Sequence, residues 1–425
     1  MELALVILFA LMAFAGLRLF AVIGGLSLIL YLLAEIGDIE GVVNEMYTLA
    51  TSPLLLTIPL FTFSGYVMAE SKTPERLIRL TRALLAPLPG GLAIMCLSAC
   101  AVFTALTGAS GVTIVALGGL LYPVLQQASY KERFALGLLT TSGSIGLLFP
   151  PSLVIILYGL VANVSINQLF VAGAIPGVLL IAFFSAYAIV RGVAAKEERR
   201  RWRLGEIAKE LYASRFELPV PAVVLVGIYG GYLTVTDSAV IVAVYVVIAE
   251  FALYRDVPWK RLPEIAQKSM VLVGGIFVII CAAKVLTYYM VDQDVPQSLF
   301  EWMRAYIHSK IAFLLLLNGF LLIVGCLMDI FSAILVVVPL IVPIALGFGV
   351  DPVHLGIVFL VNLEMGYSTP PVGLNLFIAS FRFNKPVMVL TRAALPFLAI
   401  MFVRLMVVTY IPELSLALVR LFQVQ

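Results

Sequence analysis

The chain has 425 residues, of which 62% are hydrophobic and only 12% are charged, and its formal net charge is +3. Soluble domains carry about 25% charged residues, so this composition excludes a soluble protein, and we expect no nucleic-acid partner. It predicts an integral membrane protein with many spans of about 20 apolar residues each.

The basic residues predict how the first elements are oriented. Short cytoplasmic loops collect Lys and Arg, and the largest basic cluster of the chain lies in residues 191–217. One path through the membrane places all the basic clusters, and so most of the 27 basic residues, on the inside. It makes the N-terminus periplasmic and residues 191–217 a cytoplasmic linker.

Two apolar stretches complicate that path. Residues 89–126 and residues 310–347 are long enough to cross twice, yet the basic loops that follow them stay inside only if each stretch leaves on the side it entered. Both are therefore predicted to be re-entrant helical hairpins. Each is followed by an apolar segment that contains a Pro-Pro pair, so residues 134–162 and residues 353–380 are predicted to be broken helices.

Matched residues in the two halves predict an internal repeat. Five pairs are separated by 220 positions: Pro123 and Pro343, Gly146 and Gly366, Pro150 and Pro370, Pro151 and Pro371, and Pro176 and Pro396. We assign residues 1–190 to the first repeat and residues 218–425 to the second. Each holds three spans, a hairpin, a broken helix and one further span, which is an odd number of crossings, so the second repeat is inverted. The predicted fold is an all-α polytopic membrane protein of two inverted-topology repeats, the pattern of secondary transporters.

The Pro-Pro pairs at 150–151 and 370–371 suggest a chemistry for the breaks. Proline has no N–H and cannot bond the carbonyl four residues earlier. The carbonyls released in this way are those of Gly146, Leu147, Gly366 and Tyr367. Unsatisfied carbonyls are costly inside a membrane, and a small hard cation can supply the missing partner. The breaks therefore predict two sodium sites, with a pair of proline kinks that bind no ligand as the alternative.

The hairpin tips supply further polar groups. The first tip, Thr107–Thr113, carries glycines and hydroxyls, and the second carries Asp329, an ionisable group at membrane depth that indicates function. The alternative role for Asp329 is to cap the returning helix, and the two roles are compatible. The predicted substrate-binding residues are Ser110, Ser152 and Asp329. The predicted sodium ligands are Thr107, Gly108, Ser110, Gly146, Leu147, Pro150, Gly325, Met328, Asp329, Gly366, Tyr367 and Thr369.

Three other charged residues lie in apolar segments. Glu364 occupies the position that the repeat pairs with Ser144, and either tunes a cation site or bonds the neighbouring backbone. Lys284 and Arg404 lie near predicted outer helix ends, where we expect both to extend towards the interface.

Four long motifs resemble those of a known family: "GASGVTIVALGGLLYPVL", "GLLFPPSLVIILYG", "LFVAGAIPG" and "MGYSTPPVGLNLFIAS". Together they are similar to the large membrane (M) subunit of tripartite ATP-independent periplasmic (TRAP) transporters, over nearly the whole chain. One departure is Ala109, where many relatives carry a second serine.

The resemblance implies a sodium-coupled (Na+) carrier of the bacterial inner membrane that works by an elevator mechanism, with the hairpins and broken helices as its moving part. It implies two partners, a small four-helix membrane subunit (Q) and a soluble periplasmic substrate-binding protein (P). The family's substrates are organic acids, and the overall likeness favours sialic acid over C4-dicarboxylates.

Other functions remain as alternatives. A sodium/anion carrier that needs no binding protein has the same core chemistry, whereas a passive channel needs a pore lined with charged or carbonyl rings, and the sequence shows no obvious ring. An intramembrane hydrolase needs a nucleophile with a base or an aspartate pair, and Asp329 is the one aspartate predicted to lie deep. We expect no enzyme activity.

Overall fold

The computed structural model describes residues 19–33, 43, 47, 51–85, 87–128, 130–194 and 202–422. Every regular element in these ranges is helical, so the prediction of an all-α polytopic protein is confirmed. The predicted first span and the periplasmic N-terminus depend mostly on residues 1–18, which lie outside the described residues, as do residues 195–201 of the predicted linker.

The first half contains the helices that carry one hairpin and one broken helix. In chain order they are α1 (Leu19–Leu33), α2 (Thr57–Glu70), α3 (Thr73–Leu85), α4 (Gly91–Thr107), α5 (Ser110–Gln127), α6 (Glu132–Ser142), α7 (Leu153–Ala162) and α8 (Ile166–Ala194). A short 3₁₀ turn, Pro53–Leu56, precedes α2, and another, Ile145–Leu148, lies between α6 and α7. A small helix, α9 (Leu204–Ala213), follows within the predicted linker.

The second half also carries one hairpin and one broken helix. It consists of α10 (Pro219–Tyr229), α11 (Val235–Val247), α12 (Leu262–Asp292), α13 (Val295–Tyr306), α14 (Lys310–Leu327), α15 (Ile330–Gly347), α16 (Pro352–Gly366), α17 (Leu374–Phe383), α18 (Val387–Tyr410) and α19 (Glu413–Leu421). A π-helical turn, Ile248–Leu253, extends α11, and a 3₁₀ turn, Trp259–Arg261, precedes α12.

Some of the described helices have the length and composition of membrane spans. Seven helical segments are long and apolar enough to cross a membrane, or eight if the bent pair α6 and α7 counts as one span. The two parts of that pair, Glu132–Leu148 and Leu153–Ala162, meet at 48°. Both α14 and α15 pass the length test, so length does not distinguish a re-entrant hairpin from two full crossings, and re-entrance stays a prediction.

Both predicted hairpins reverse the chain. The hydroxyl oxygens of Thr104 in α4 and Thr113 in α5 lie 2.7 Å apart, whereas nine residues of continuous helix would separate them by about 14 Å. The reversal occurs at Gly108, which has a φ of +68°. In the second hairpin Lys310 Nζ, at the start of α14, donates to the Gly349 carbonyl just after α15 at 2.7 Å. Each pair α4/α5 and α14/α15 is therefore a helical hairpin.

The two halves exchange packing partners at the centre of the molecule. Helix α5 of the first hairpin packs against α17, and α15 of the second hairpin packs against α7. Helix α4 packs against the 3₁₀ turn after α6, and α14 packs along α16. The larger apolar cluster of the described residues runs through these elements, and a smaller one joins Leu30 to Tyr289 and Met290. This exchange buries the first tip and the first break, whereas Pro370, Pro371 and Val372 of the second break and Leu327 beside the second tip remain exposed.

A buried ionic cluster lies away from this centre. Arg76 in α3 pairs with Glu217, Glu250 and Asp256, and Arg76 is only 5% exposed. Burial opposes its charge, but the hydrogen bond to Asp256 and the charges of Glu217 and Glu250 outweigh this effect and raise the pKa of Arg76. The cluster ties α3 to the segments that flank α10 and α11.

Candidate functional site

The first break lies between α6 and α7 and is closed by short-range hydrogen bonds. The Gly146 carbonyl, predicted to be unpartnered, accepts from the Phe149 N–H at 3.0 Å within the 3₁₀ turn. Phe149 and Ser152 then have extended backbone, and the Pro150–Pro151 peptide is cis. A Cβ atom at Gly146 would overlap the backbone of Ala101 and Ala105 in α4. The break therefore lies directly against the first arm of the first hairpin.

The second break lies between α16 and α17. The Gly366 carbonyl accepts from the Thr369 N–H, and the Tyr367 carbonyl accepts from the Asn375 N–H, both at 2.9 Å. Thr369 also donates its hydroxyl to the Met365 carbonyl at 2.8 Å, and the Pro370–Pro371 peptide is cis. A Cβ at Gly366 would lie 2.5 Å from the carbonyl carbon of Gly325 in α14. Because Gly325 and Gly366 have no side chain, the backbones of α14 and α16 can approach this closely.

These bonds correct one step of the sequence-based reasoning. Three of the four carbonyls predicted to lack a backbone partner, those of Gly146, Gly366 and Tyr367, accept a hydrogen bond. At Gly146 and Gly366 a tighter turn of three residues replaces the α-helical bond that proline removes, whereas the Tyr367 carbonyl accepts from a residue eight positions later. A carbonyl oxygen has two lone pairs, so each still has capacity for a cation.

The first hairpin tip contacts both broken helices. Thr107 donates its hydroxyl to the Phe103 carbonyl at 2.9 Å, within its own helix. A Cβ at Gly108 would meet the Leu153 side chain, 2.7 Å from its Cγ, at the start of α7. Ser110 Oγ donates to Asn375 Oδ1 at 2.9 Å. The tip is thus held between the second half-helices of the two breaks.

The second hairpin tip is built around Asp329. Its Oδ1 accepts from the N–H groups of Phe331 and Ser332, at 3.1 and 3.0 Å, and its Oδ2 accepts from the Ser332 hydroxyl at 2.5 Å. Asp329 is therefore the N-cap of α15, which was the alternative role for this residue. The Ile330 N–H donates to the Tyr367 hydroxyl, and the Gly373 N–H donates to the Cys326 carbonyl at 3.1 Å. The tip is bound to the second break.

The predicted residues fall into two groups. One consists of the first tip and first break: Thr107, Gly108, Ser110, Gly146, Leu147, Pro150 and Ser152. The other consists of the second tip and second break: Gly325, Met328, Asp329, Gly366, Tyr367 and Thr369. The Ser110–Asn375 bond connects the groups, and among the described residues no hydrogen bond joins Ser110 directly to Asp329.

The half-helix ends provide the electrostatic field of the site. Helices α4, α6, α14 and α16 end at the tips and breaks, while α5, α7, α15 and α17 begin there. Helix C-termini carry partial negative charge and attract cations, and N-termini carry partial positive charge and attract anions. This arrangement suits a cation and an anion held close together.

The donor set favours a hard cation over a transition metal. Among the described residues there is no group of three or more His, Cys, Asp or Glu side chains arranged to hold a metal ion. The free cysteines, Cys96, Cys100, Cys281 and Cys326, show no shared site. Carbonyl and hydroxyl oxygens, which surround both breaks, are ligands for hard cations.

Sequence reasoning missed Asn375. Its side chain is fully buried and bonds to a hairpin tip 265 residues away. A signal was present, because an amide lies two residues after the glycine of the break in "PPVGLN", in the first turn of the helix that follows. The 220-residue offset pairs it with Ile155, so the repeat gave no indication of a polar role.

The expectation for Arg404 was wrong, and both roles considered for Glu364 were incomplete. Arg404 does not extend to the interface: both side chains are fully buried, and Arg404 Nη2 lies 2.7 Å from Glu364 Oε2. The carboxylate cancels the charge that would otherwise draw the arginine towards water.

Two comparisons with known proteins agree on one family. Residues 5–414 match the family model described as "Tripartite ATP-independent periplasmic transporter, DctM component". The C4-dicarboxylate TRAP transporter large permease protein DctM of Pseudomonas aeruginosa is 36% identical over 376 residues, which cover 88% of this chain and 87% of that protein. The sialic acid TRAP transporter large permease protein SiaM of Vibrio cholerae is 30% identical over 372 residues, covering 87% and 86%.

A solved structure has the same fold. The crystal structure of the Alcanivorax borkumensis YdaH transporter superposes with a TM-score of 0.67 at 14% sequence identity, covering 97% of this chain and 99% of that one. At this identity the similarity concerns the fold alone.

Proposed function

The chain belongs to the DctM component family of tripartite ATP-independent periplasmic transporters, as a large membrane subunit, and we propose that it carries an organic acid together with sodium ions. The observation that carries this proposal is the meeting of eight half-helix ends at the hairpin tips and breaks. Four C-termini and four N-termini favour cation and anion binding side by side.

In the proposed mechanism the two breaks each bind one sodium ion. The carbonyls of Gly146 and Gly366 belong to tight turns beside the hairpins and retain a lone pair for a cation. Two bound cations compensate the charge of an organic acid held at the N-termini of the second half-helices. Because bound sodium raises the affinity for the acid and bound acid raises the affinity for sodium, a sodium gradient drives uptake of the acid.

We propose that transport occurs by an elevator movement of the hairpins and broken helices as one body. Their mutual packing across the two halves supports this, since elements that interlock in this way move together more readily than apart. The inverted relation of the two repeats supplies the matched pathways to either side.

The substrate is proposed to be a carboxylate-bearing acid. Sialic acid, favoured from overall sequence likeness, remains a candidate, but the relative named for C4-dicarboxylates is 36% identical whereas the one named for sialic acid is 30% identical. The similarity order therefore gives sialic acid no preference. Parallel uptake assays with both acids decide between them.

The proposed setting is the bacterial inner membrane, with a periplasmic N-terminus and a cytoplasmic segment 191–217. The partners proposed from the family are a small membrane subunit and a soluble periplasmic substrate-binding protein. The exposed apolar side chains on α12 and α14, among them Val271, Leu315 and Ile323, suit contact with lipid or a membrane partner.

Reconstitution in liposomes with both partners tests the proposal. We expect accumulation of the acid with sodium outside and none with potassium. Accumulation without the binding protein would favour the simpler sodium/anion carrier. Equilibration of the acid regardless of the cation would favour a passive channel and contradict the proposal.

A further inference from the structure

Asn375 lies where the two halves of the molecule meet. It is in the first turn of α17, its side chain is fully buried, and its backbone N–H donates to the Tyr367 carbonyl in the break. Its Oδ1 accepts the hydroxyl hydrogen of Ser110, at the start of α5. One side chain thus connects the first hairpin tip to the second broken helix.

The Ser110–Asn375 bond assigns different chemistry to the two side chains. A serine hydroxyl has one hydrogen, and Ser110 gives it to Asn375, so the Ser110 oxygen presents only lone pairs to any ligand. Asn375 Nδ2 carries two hydrogens and has no hydrogen-bond partner among the described residues. A buried amide donor without a partner is unfavourable, which indicates that a ligand completes it.

The surroundings of Asn375 favour an anion as that ligand. The N-terminus of α17 adds partial positive charge. Ser368, which follows the residue bonded to the Asn375 N–H, has a fully buried hydroxyl with no partner in the described part of the chain. Ser152 is also buried, with no partner within the described ranges, and it precedes Leu153, which packs on the tip that carries Ser110. Asn375 Nδ2 and the hydroxyls of Ser368 and Ser152 are therefore three unused donors in the segments that form this junction.

We propose that Asn375 Nδ2 donates a hydrogen bond to the carboxylate of the transported acid, while the Ser110 oxygen is a sodium ligand. This inference rests on the proposed function and adds a specificity-determining residue to it. It also narrows the role of Ser110, which was predicted both to bind the substrate and to be a sodium ligand, to the sodium ion alone. The two roles become coupled, because the Ser110–Asn375 bond holds the cation ligand and the anion donor in fixed relative positions.

A purely structural role for Asn375 predicts a different substitution pattern. If Asn375 only fastens the hairpin tip, its Oδ1 is sufficient, and Asn375→Asp retains an oxygen that accepts from Ser110. If Nδ2 binds the carboxylate, the same substitution removes the donor and places a negative charge against the anion. Asn375→Ala removes the donor without adding charge.

The test measures KM for the acid and the half-saturating sodium concentration in the complete reconstituted transporter. Asn375→Ala and Asn375→Asp are both expected to raise the KM for the acid by about tenfold or more, with the larger rise in Asn375→Asp. The half-saturating sodium concentration of Asn375→Asp should be unchanged or lower. Ser110→Ala is expected to raise the sodium half-saturation.

Asn362→Ala is the matched control. Asn362 is also a fully buried asparagine with one side-chain atom that has no partner among the described residues, but its amide donates to Asn318 and Val358 and not to the junction. The KM of Asn362→Ala for the acid should therefore stay within about twofold of the original value.

Unchanged KM in both Asn375 variants, or the same rise in Asn362→Ala, would overturn the inference. If a variant transports too slowly for KM to be measured, the rise in the unfolding midpoint of the purified protein on addition of acid and sodium is measured instead. An equal rise for Asn375→Ala and the unsubstituted protein would also overturn the inference. A failure of the unsubstituted transporter to show sodium-dependent uptake is a separate result that contradicts the proposed function itself.

Discussion

At the residue scale, Asp329 combines the role of helix cap with that of a charge at the centre of the proposed site. Its carboxylate accepts two backbone N–H groups and the Ser332 hydroxyl. Asp351, at the start of α16, has the same capping geometry, accepting from Val353 and His354, but belongs to no break or tip. The chain thus contains a matched pair of capping aspartates of which only one is proposed to act in transport.

Asp329→Asn should separate the two roles. Asparagine caps a helix about as well as aspartate, so the thermal unfolding midpoint should change little, whereas loss of the charge should reduce sodium-driven uptake by about tenfold or more. Asp351→Asn should leave both properties near their original values. Full uptake by Asp329→Asn would show that the residue is only a cap.

Arg404 and Glu364 form a fully buried ion pair. Removing one partner leaves an uncompensated charge, at a cost of about 3–5 kcal/mol, so Arg404→Met should markedly lower the unfolding midpoint of the purified protein. The double substitution Glu364→Leu with Arg404→Met should recover much of that loss. Arg420→Ala, which removes an exposed pair with Glu413, is the control and should have little effect. A normal midpoint for Arg404→Met alone would contradict this assignment.

At the element scale, α2 touches the first hairpin at its tip. A Cβ at Gly65 would lie 2.7 Å from the Thr107 Cα, and backbone cannot yield as a side chain can. The proposed movement of the hairpins therefore takes place against a surface that tolerates only glycine at this point.

Gly65→Ala should displace the hairpin tip. Because Thr107 is a predicted sodium ligand, we expect a higher half-saturating sodium concentration and slower uptake. Gly319→Ala is the control, since a Cβ there meets nothing within 4 Å. Sodium half-saturation that is the same in both variants would show that the tip does not depend on this contact.

The Arg76 cluster is a second link between elements. Three carboxylates face one guanidinium, so Arg76→Met leaves like charges together and should lower the unfolding midpoint by an amount equivalent to about 3–5 kcal/mol. Arg79→Met, in the same helix, removes a half-exposed pair with Glu210 and should have little effect. Equal midpoints for the two variants would show that the cluster contributes no stability.

At the scale of the whole molecule, local patterns were enough to locate the elements but not their long-range partners. The apolar stretches and the basic loops that follow them placed the hairpins at 89–126 and 310–347, and the helices that form them span 91–127 and 310–347. The Ser110–Asn375, Glu364–Arg404 and Arg76 contacts join residues 40 to 265 positions apart. No local periodicity encodes which polar groups meet after folding, and for this reason Asn375 was missed and Arg404 was misplaced.

The central claim is that sodium and the acid cross the membrane in the same event. Entry of radiolabelled sodium into liposomes that contain the complete transporter tests it most directly, with acid added or omitted outside. We predict that sodium enters together with the acid and that its entry stops when the acid is left out. Uptake of the acid without any acid-dependent entry of sodium would contradict the claim.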